Sequence, residues 1–414
     1  MAIQTDRFIG RCILALLAFI FMLAPGGAAN ATVYHNVTIS TDILKAGDTI
    51  SNDASFTGAW AVKADGSGTD IKVHGVSVDT ANQLGYGVYA VSGGTTDVAG
   101  STITTTGFGS SGVTAVTGSS IDITNTVISL SGQQAVGVSS NYNSSIDITD
   151  TKITAIGNIT DAIKAINNSY MSITNSTIVT SGDWARGALA SSGSSMKITD
   201  TTITTSGDTQ PAVDARSASM DITGTTIITS GKRTGASAMA SQMNITDTTI
   251  TTSGNTASGA SASYNSSMDI TDSTITTSGA NALGVHANNS SIDITGSTIT
   301  TSGGAARAAQ AESGSTMNIR NTTITTASAD AYGAIADTNS SINITGGSIN
   351  TSGYGSTGAS AHRGSSVDVT GTAISTSGEY SYGVWAEENS SASVKDAAIT
   401  TSKMTSYGVY ALNG

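Results

Sequence analysis

Carboxylates recur along this chain at nearly constant spacing: Asp97, Asp122, Asp147, Asp221, Asp269, Asp293 and Asp368. If the backbone coils so that they align, they stack at ~4.8 Å and repel, and a divalent cation such as calcium would relieve that repulsion. Ser172, Lys197, Asn244, Asn318 and Asn343 interrupt the series. We therefore expect a solvated polar ladder and no metal site. Enzymes that cleave glycosidic bonds need a focused acid–base pair. Here His35, His74, His286 and His362 are far apart, and serine is too abundant for any one to stand out as a nucleophile. The expectation is no catalytic residue, no cofactor and no enzymatic activity, with a polysaccharide-acting enzyme as the competing reading.

Two other arrays could bind rather than react. The pairs Thr249/Thr251, Thr274/Thr276 and Thr298/Thr300 repeat a Thr-x-Thr spacing. A regular hydroxyl and methyl array of this kind resembles some ice-binding solenoids. The same positions read Lys152/Thr154 and Thr177/Val179 elsewhere, so an ordinary strand surface is expected. Near the C-terminus, Tyr382, Trp385, Tyr407 and Tyr410 recur at the repeat interval. Aromatic faces suit sugars and protein partners.

Both arrays depend on the element that carries them. The phrase "SSMDITDSTITTSG" at Ser266 returns as "SSIDITGSTITTSG" at Ser290 and "SSMKITDTTITTSG" at Ser194. Its markers run Ile121, Ile146, Met171, Met196, with intervals of 25 residues and a few shorter ones. Each unit holds three short pieces: Met268-Asp269-Ile270, Thr274-Ile275-Thr276 and Gly284-Val285-His286-Ala287. Every piece alternates with period two, the mark of a strand with one buried face. Between them stand Asp150, Asn175, Asp200, Gly224, Asp247, Gly296 and a recurring Ser-Gly, which suit left-handed turns. No helical period is present. Coiling satisfies all three pieces at once: each unit becomes a rung whose strands pair in parallel with the next. The predicted fold is all-β, a right-handed parallel β-helix of about 14 rungs and ~25 residues per rung, roughly 65–70 Å long. Ile245, Ile270 and Ile294 should line one inner wall, Ile250, Ile275 and Ile299 a second, and Val138, Ile163 and Val285 a third. Outward on the third strand, residues vary most: Tyr89, Lys164, Leu189, Asp214, His286, Trp385.

Composition sets the limits. Of 414 residues, 38% are hydrophobic and 11% charged, with a net charge of -12. Seventeen scattered Lys and Arg argue against nucleic acid. Residues 1–31 combine Arg7 and Arg11, the apolar "CILALLAFIFMLA", and Ala29-Asn30-Ala31, the pattern of a signal peptide cleaved before Thr32. Cys12 falls inside it, so the mature chain is cysteine-free. Residues 32–70 fit the repeat poorly and are expected to form an N-terminal cap and a first partial rung. In that stretch "GAWAVKADGSG" at Gly58 reads as a third strand. Residues 71–414 are the repeat region.

The signal peptide, the cysteine-free mature chain and repeats of the form T-I-T-T-S-G…G-V-x-A resemble passenger domains of bacterial autotransporters, of the pertactin-like and self-associating adhesin types of Gram-negative bacteria. The resemblance implies export to the outer membrane, display at the cell surface or release, and threading through a C-terminal β-barrel translocator. It implies contacts with host-cell or matrix glycans and proteins, or self-association. This sequence carries no ~10-residue alternating strands with aromatic girdles. The expected barrel is therefore absent from the chain, which would make it a fragment, a truncated product or a protein that docks by other means.

Overall fold

Period-two alternation, constant unit length and turn-forming residues between pieces leave a chain few options besides stacked rungs. The computed structural model describes residues 58–412 and 47–51 with their side chains, and the strand backbone at 33–35 and 37–38. The expected signal peptide at 1–31 lies outside the described residues. The described residues form three parallel sheets and no helix. A first wall has 14 strands; the second and third have 16 each.

One rung shows how the phrase is used. Ser267–Thr271 lies in the first wall, Thr274–Thr277 in the second and Leu283–Asn288 in the third. Each pairs in parallel with its counterparts in neighbouring rungs, for example Met243↔Met268↔Ile292. Like side chains thus stack in columns. Ile270, Ile275 and Val285 are each 0% exposed, as the alternation predicts, and belong to one continuous core. Burying side chains of this size contributes about 1.5–3 kcal/mol apiece before entropy is subtracted.

The corners use the rest of the phrase. Ser266 and Ser273 are buried. The Ser241 N–H donates to Ser266 Oγ at 3.1 Å, and Ser266 Oγ donates to the Ser263 carbonyl at 2.6 Å. Thr248 N–H donates likewise to Ser273 Oγ at 3.1 Å. Two hydroxyl ladders run up the rod this way and satisfy corner amides that the sheets leave over. Asp150, Asn175 and Asp200 adopt φ of 51°, 47° and 49°, the left-handed turns expected of them.

One expectation needs correction. The glycines that close the Thr-Thr-Ser-Gly phrase, such as Gly254 and Gly279, are not left-handed. A Cβ on Gly279 would lie 1.9 Å from the Gly254 carbonyl oxygen of the rung below. Close backbone approach, not a special φ, is what demands glycine there. The threonine that follows the second piece turns in: Thr277 and Thr301 are 0% exposed, and their hydroxyls lack a hydrogen-bond partner.

Below residue 70, Val33–His35 and Thr49–Ser51 add strands to the second wall. Val37–Thr38 and Trp60–Asp65 add strands to the third, the latter paired with Tyr86–Val91.

Candidate binding surface

The third wall has the longest strands, mostly six residues, and presents three outward columns. In the rung Leu283–Asn288, Val285 and Ala287 point into the core, leaving Leu283, His286 and Asn288 outside. The repeat breaks down in these columns. Charged and aromatic side chains replace serine and threonine, and they interact across rungs.

One cluster surrounds Asp214. Arg186 bridges Asp161 at 3.0 Å and Asp214 at 3.1 Å, and Arg216 Nε reaches Asp214 at 2.7 Å. Asp214 is 0% exposed. Burial pushes its carboxyl up, and the guanidiniums of Arg216 and Arg186 oppose that shift. Farther along, Arg307 Nη1 donates to Gln310 Oε1 at 3.0 Å, and Gln310 Nε2 donates to Glu312 Oε2 at 2.9 Å. Glu312 Oε1 also takes His286 Nε2 and Asn288 Nδ2, each at 2.9 Å. The hydrogen bond from His286 holds the Glu312 carboxyl below the usual carboxylate range. A cleft of about 440 Å³ opens beside this cluster, lined by Asn281, Leu283, Ala305, Arg307, Asp330 and Tyr332.

The middle column is outward yet largely covered. Leu189, Asp214, Gln310 and Ser360 are 6%, 0%, 4% and 0% exposed. From the sequence this column reads as free surface. The flanking columns close over it, as the Arg307–Gln310–Glu312 chain shows.

The structure brings the C-terminal aromatic residues together. Tyr382 stacks on Trp385 at 5.1 Å and on Tyr407 at 5.9 Å, and Tyr410 lies 5.2 Å from Tyr382 and 5.4 Å from Tyr407. His362 joins them, with its ring centroid 4.8 Å from Trp385 and Nδ1 2.9 Å from Glu387. Sequence reasoning missed Glu387, Arg307 and Glu312 and did not join His362 to the aromatic residues. For His362, Glu387 and Glu312 the signal was the variable residue following the third-strand alanine, as in Ala361-His362 and Ala386-Glu387; Arg307 instead opens its strand.

On the second wall, Thr249↔Thr274↔Thr298 and Thr251↔Thr276↔Thr300 lie in register. The first of these columns is exposed and the second half-buried. Ile228 precedes the array beside Thr251. Nothing there joins the third-wall aromatic residues. On the first wall the acidic ladder is partly neutralised by amides: Asn318 Nδ2 donates to Asp293 Oδ1 at 2.6 Å.

The rod has a solved counterpart. It superposes on a chain of the Vag8–C1 inhibitor complex determined by cryo-EM, with a TM-score of 0.71 and 14% identity, over 92% of this chain and 100% of that one. At that identity the likeness is one of fold. The mannuronan C-5 epimerase AlgE4 A-module of Azotobacter vinelandii is similar at a TM-score of 0.33 and 11% identity, over 78% of this chain and 91% of that one. Tailspike protein 3 of bacteriophage CBA120 follows at 0.31 and 10%, over 91% and 55%. No protein-family model and no curated protein matches the sequence.

Proposed function

We propose that this chain is an exported, surface-displayed or secreted rod of the autotransporter-passenger type that acts by binding, not catalysis. Its third wall contacts cell or matrix glycans and proteins, or a second copy of itself. The observation that carries the reading is the break in the repeat. Two walls present mostly Thr, Ser, Asp and Asn, with scattered exceptions such as Lys152, Lys197 and Ile228, while the third presents charge and aromatic rings that interact across rungs in a pre-arranged face. Many modest contacts along such a rod sum through avidity. The similarity in fold to a chain from a complex with a protein, C1 inhibitor, supports a protein as one class of partner.

The test is to display the chain on a bacterial surface by supplying a β-barrel, then score attachment and aggregation. Alanine at Tyr382, Trp385, Tyr407 and Tyr410 should reduce whichever activity appears. Alanine at Thr274 and Thr276 should leave it intact. No gain in attachment or aggregation from the unaltered chain removes the adhesin reading.

A polysaccharide-acting enzyme is the second reading, and Asp214 favours it. This carboxylate is buried between two guanidiniums and keeps an unpartnered Oδ1. Chain shortening of a polysaccharide panel, abolished in Asp214→Asn, would replace the first reading with this one. Ice binding by Thr249, Thr251, Thr274, Thr276, Thr298 and Thr300 predicts thermal hysteresis of the purified rod.

A further inference from the structure

Buried polar atoms without partners are rare in folded proteins, and those that occur call for an explanation. In this rod most of them lie inside, such as the hydroxyls of Thr277 and Thr301. On the outer face of the third wall they are concentrated. Thr357 Oγ1, Ser360 Oγ, His362 Nε2 and Trp385 Nε1 all lack a partner, and they occupy two adjacent rungs. Thr357, Ser360 and His362 are 0%, 0% and 8% exposed. What covers them is a set of aromatic side chains. Tyr332 meets His362 edge-on at 6.0 Å, Trp385 does so at 4.8 Å, and Tyr382 stacks on Trp385.

We propose that these two rungs, with Tyr407 of the next, form a sugar subsite, in which an uncharged pyranose with adjacent hydroxyls stacks on the exposed ring of Tyr407 at the edge of Tyr382 and hydrogen-bonds to Ser360, His362 and Trp385. The proposal rests on the third wall being the binding face and names the ligand chemistry at one place on it. The four unpartnered groups are complementary as a set. Trp385 Nε1–H can only donate, and the two hydroxyls can do either. The Glu387 carboxylate accepts from His362 Nδ1, which leaves Nε2 of the neutral ring as an acceptor. Burial lowers the His362 pKa and so favours that neutral ring. A vicinal diol offers the matching donors and acceptors. Tyr382 and Tyr407 lie nearly parallel, at 11°, and Tyr407 is 50% exposed, so a platform for the C–H face of a sugar is already in place. Entry requires that Tyr332 and Trp385 of the aromatic cover turn aside, while Tyr382 stays stacked on Tyr407.

The charge around the site selects against acidic sugars. Around His362 stand three carboxylates, Asp337, Glu387 and Glu388, and one guanidinium, Arg363, which bonds Asp337 at 2.8 Å and lies 3.9 Å from Glu388. Three carboxylates against one arginine would repel a uronate or sialic acid and tolerate a neutral ring.

The experiment is saturation-transfer NMR and tryptophan fluorescence on the purified chain. The probes are methyl hexopyranosides and neutral oligosaccharides in one arm, and glucuronate- and sialic-acid-terminated oligosaccharides in the other. Neutral probes should bind and acidic ones should bind at least tenfold more weakly. Trp385→Phe keeps the ring and loses the N–H; Ser360→Ala loses the hydroxyl. Each should weaken neutral-sugar binding about tenfold with an unchanged unfolding midpoint. Three results overturn the subsite: no neutral probe binding at millimolar concentration, preference for acidic probes, or unaltered binding in both variants. Should the displayed rod still attach or aggregate while any of these holds, the adhesin reading stands and the subsite alone is lost. Attachment through a protein partner, unaffected by competing sugar, has the same consequence.

Discussion

Asn244 donates its Nδ2–H to Asp221 Oδ1 across 2.6 Å, from one rung to the rung before it. An amide above a carboxylate turns a repulsive column into a hydrogen-bonded one. Asp122 and Asp147 stand in the same register with no such amide between them. Burial and the Asp122 charge raise the Asp147 pKa above 3.8. A raised carboxylate destabilises the fold wherever it is ionised in both states, and that penalty fades as the pH falls through its folded value toward 3.8.

Asp147→Asn should therefore stabilise the rod at neutral pH by a few tenths to about 1 kcal/mol, allowing for solvent screening. The gain over the unaltered chain should vanish near pH 3 or so, once both carboxyls are protonated. Urea denaturation at both pH values checks it; an equal difference at both removes the electrostatic account.

Glu312 behaves in the opposite sense. Hydrogen bonds from His286 and Asn288 lower its pKa from 4.5. Its stabilising contribution is complete above 4.5 and is lost as the pH falls through the lower folded value. Glu312→Gln should cost about 1 kcal/mol at neutral pH after screening is allowed for, and the cost should shrink in acid. A pH series of unfolding midpoints for the two chains measures this.

Inside the rod, Thr301 carries a buried hydroxyl with no partner. The same column holds Leu130 and Ala155, so the position accepts apolar groups. Thr301→Val keeps the shape and removes the polar atom, and should stabilise by about 1–2 kcal/mol. Thermal unfolding decides it, and a loss of stability would show that the hydroxyl is satisfied in solution.

Rung spacing depends on glycine at the second corner. Gly279→Ala places Cβ 1.9 Å from the Gly254 carbonyl oxygen and should cost about 3 kcal/mol or more. Gly304→Ala, with nothing within 4 Å of its Cβ, should be neutral or stabilising by up to about 1 kcal/mol. Equal midpoints for the two variants would contradict the close-packed corner.

Much of the fold is legible in the residues. Ile245, Ile270 and Ile294 stack as their spacing requires, and Trp385 lies over Tyr410. Legibility fails where one residue type has two uses. Thr276 and Thr277 are chemically identical, yet the first is half-exposed and the second sealed in the core. Serine reads as polar surface, yet Ser266 and Ser273 are buried hydrogen-bond links. The aromatic patch could be anticipated because its members recur at the repeat interval. The ion-pair clusters could be only in part: Asp161 and Arg186 are register partners one rung apart, but Arg186 and Asp214 are 28 residues apart, which is no multiple of the rung.

What the chain determines by itself is the rung: period-two alternation at a constant interval permits one parallel register that buries every apolar column. Burial within the third wall's middle column, and the four partnerless polar atoms gathered around Tyr382 and Trp385, were decided only in three dimensions. Those outcomes depend on the reach and direction of side chains from neighbouring columns and rungs, and no single strand's pattern encodes them.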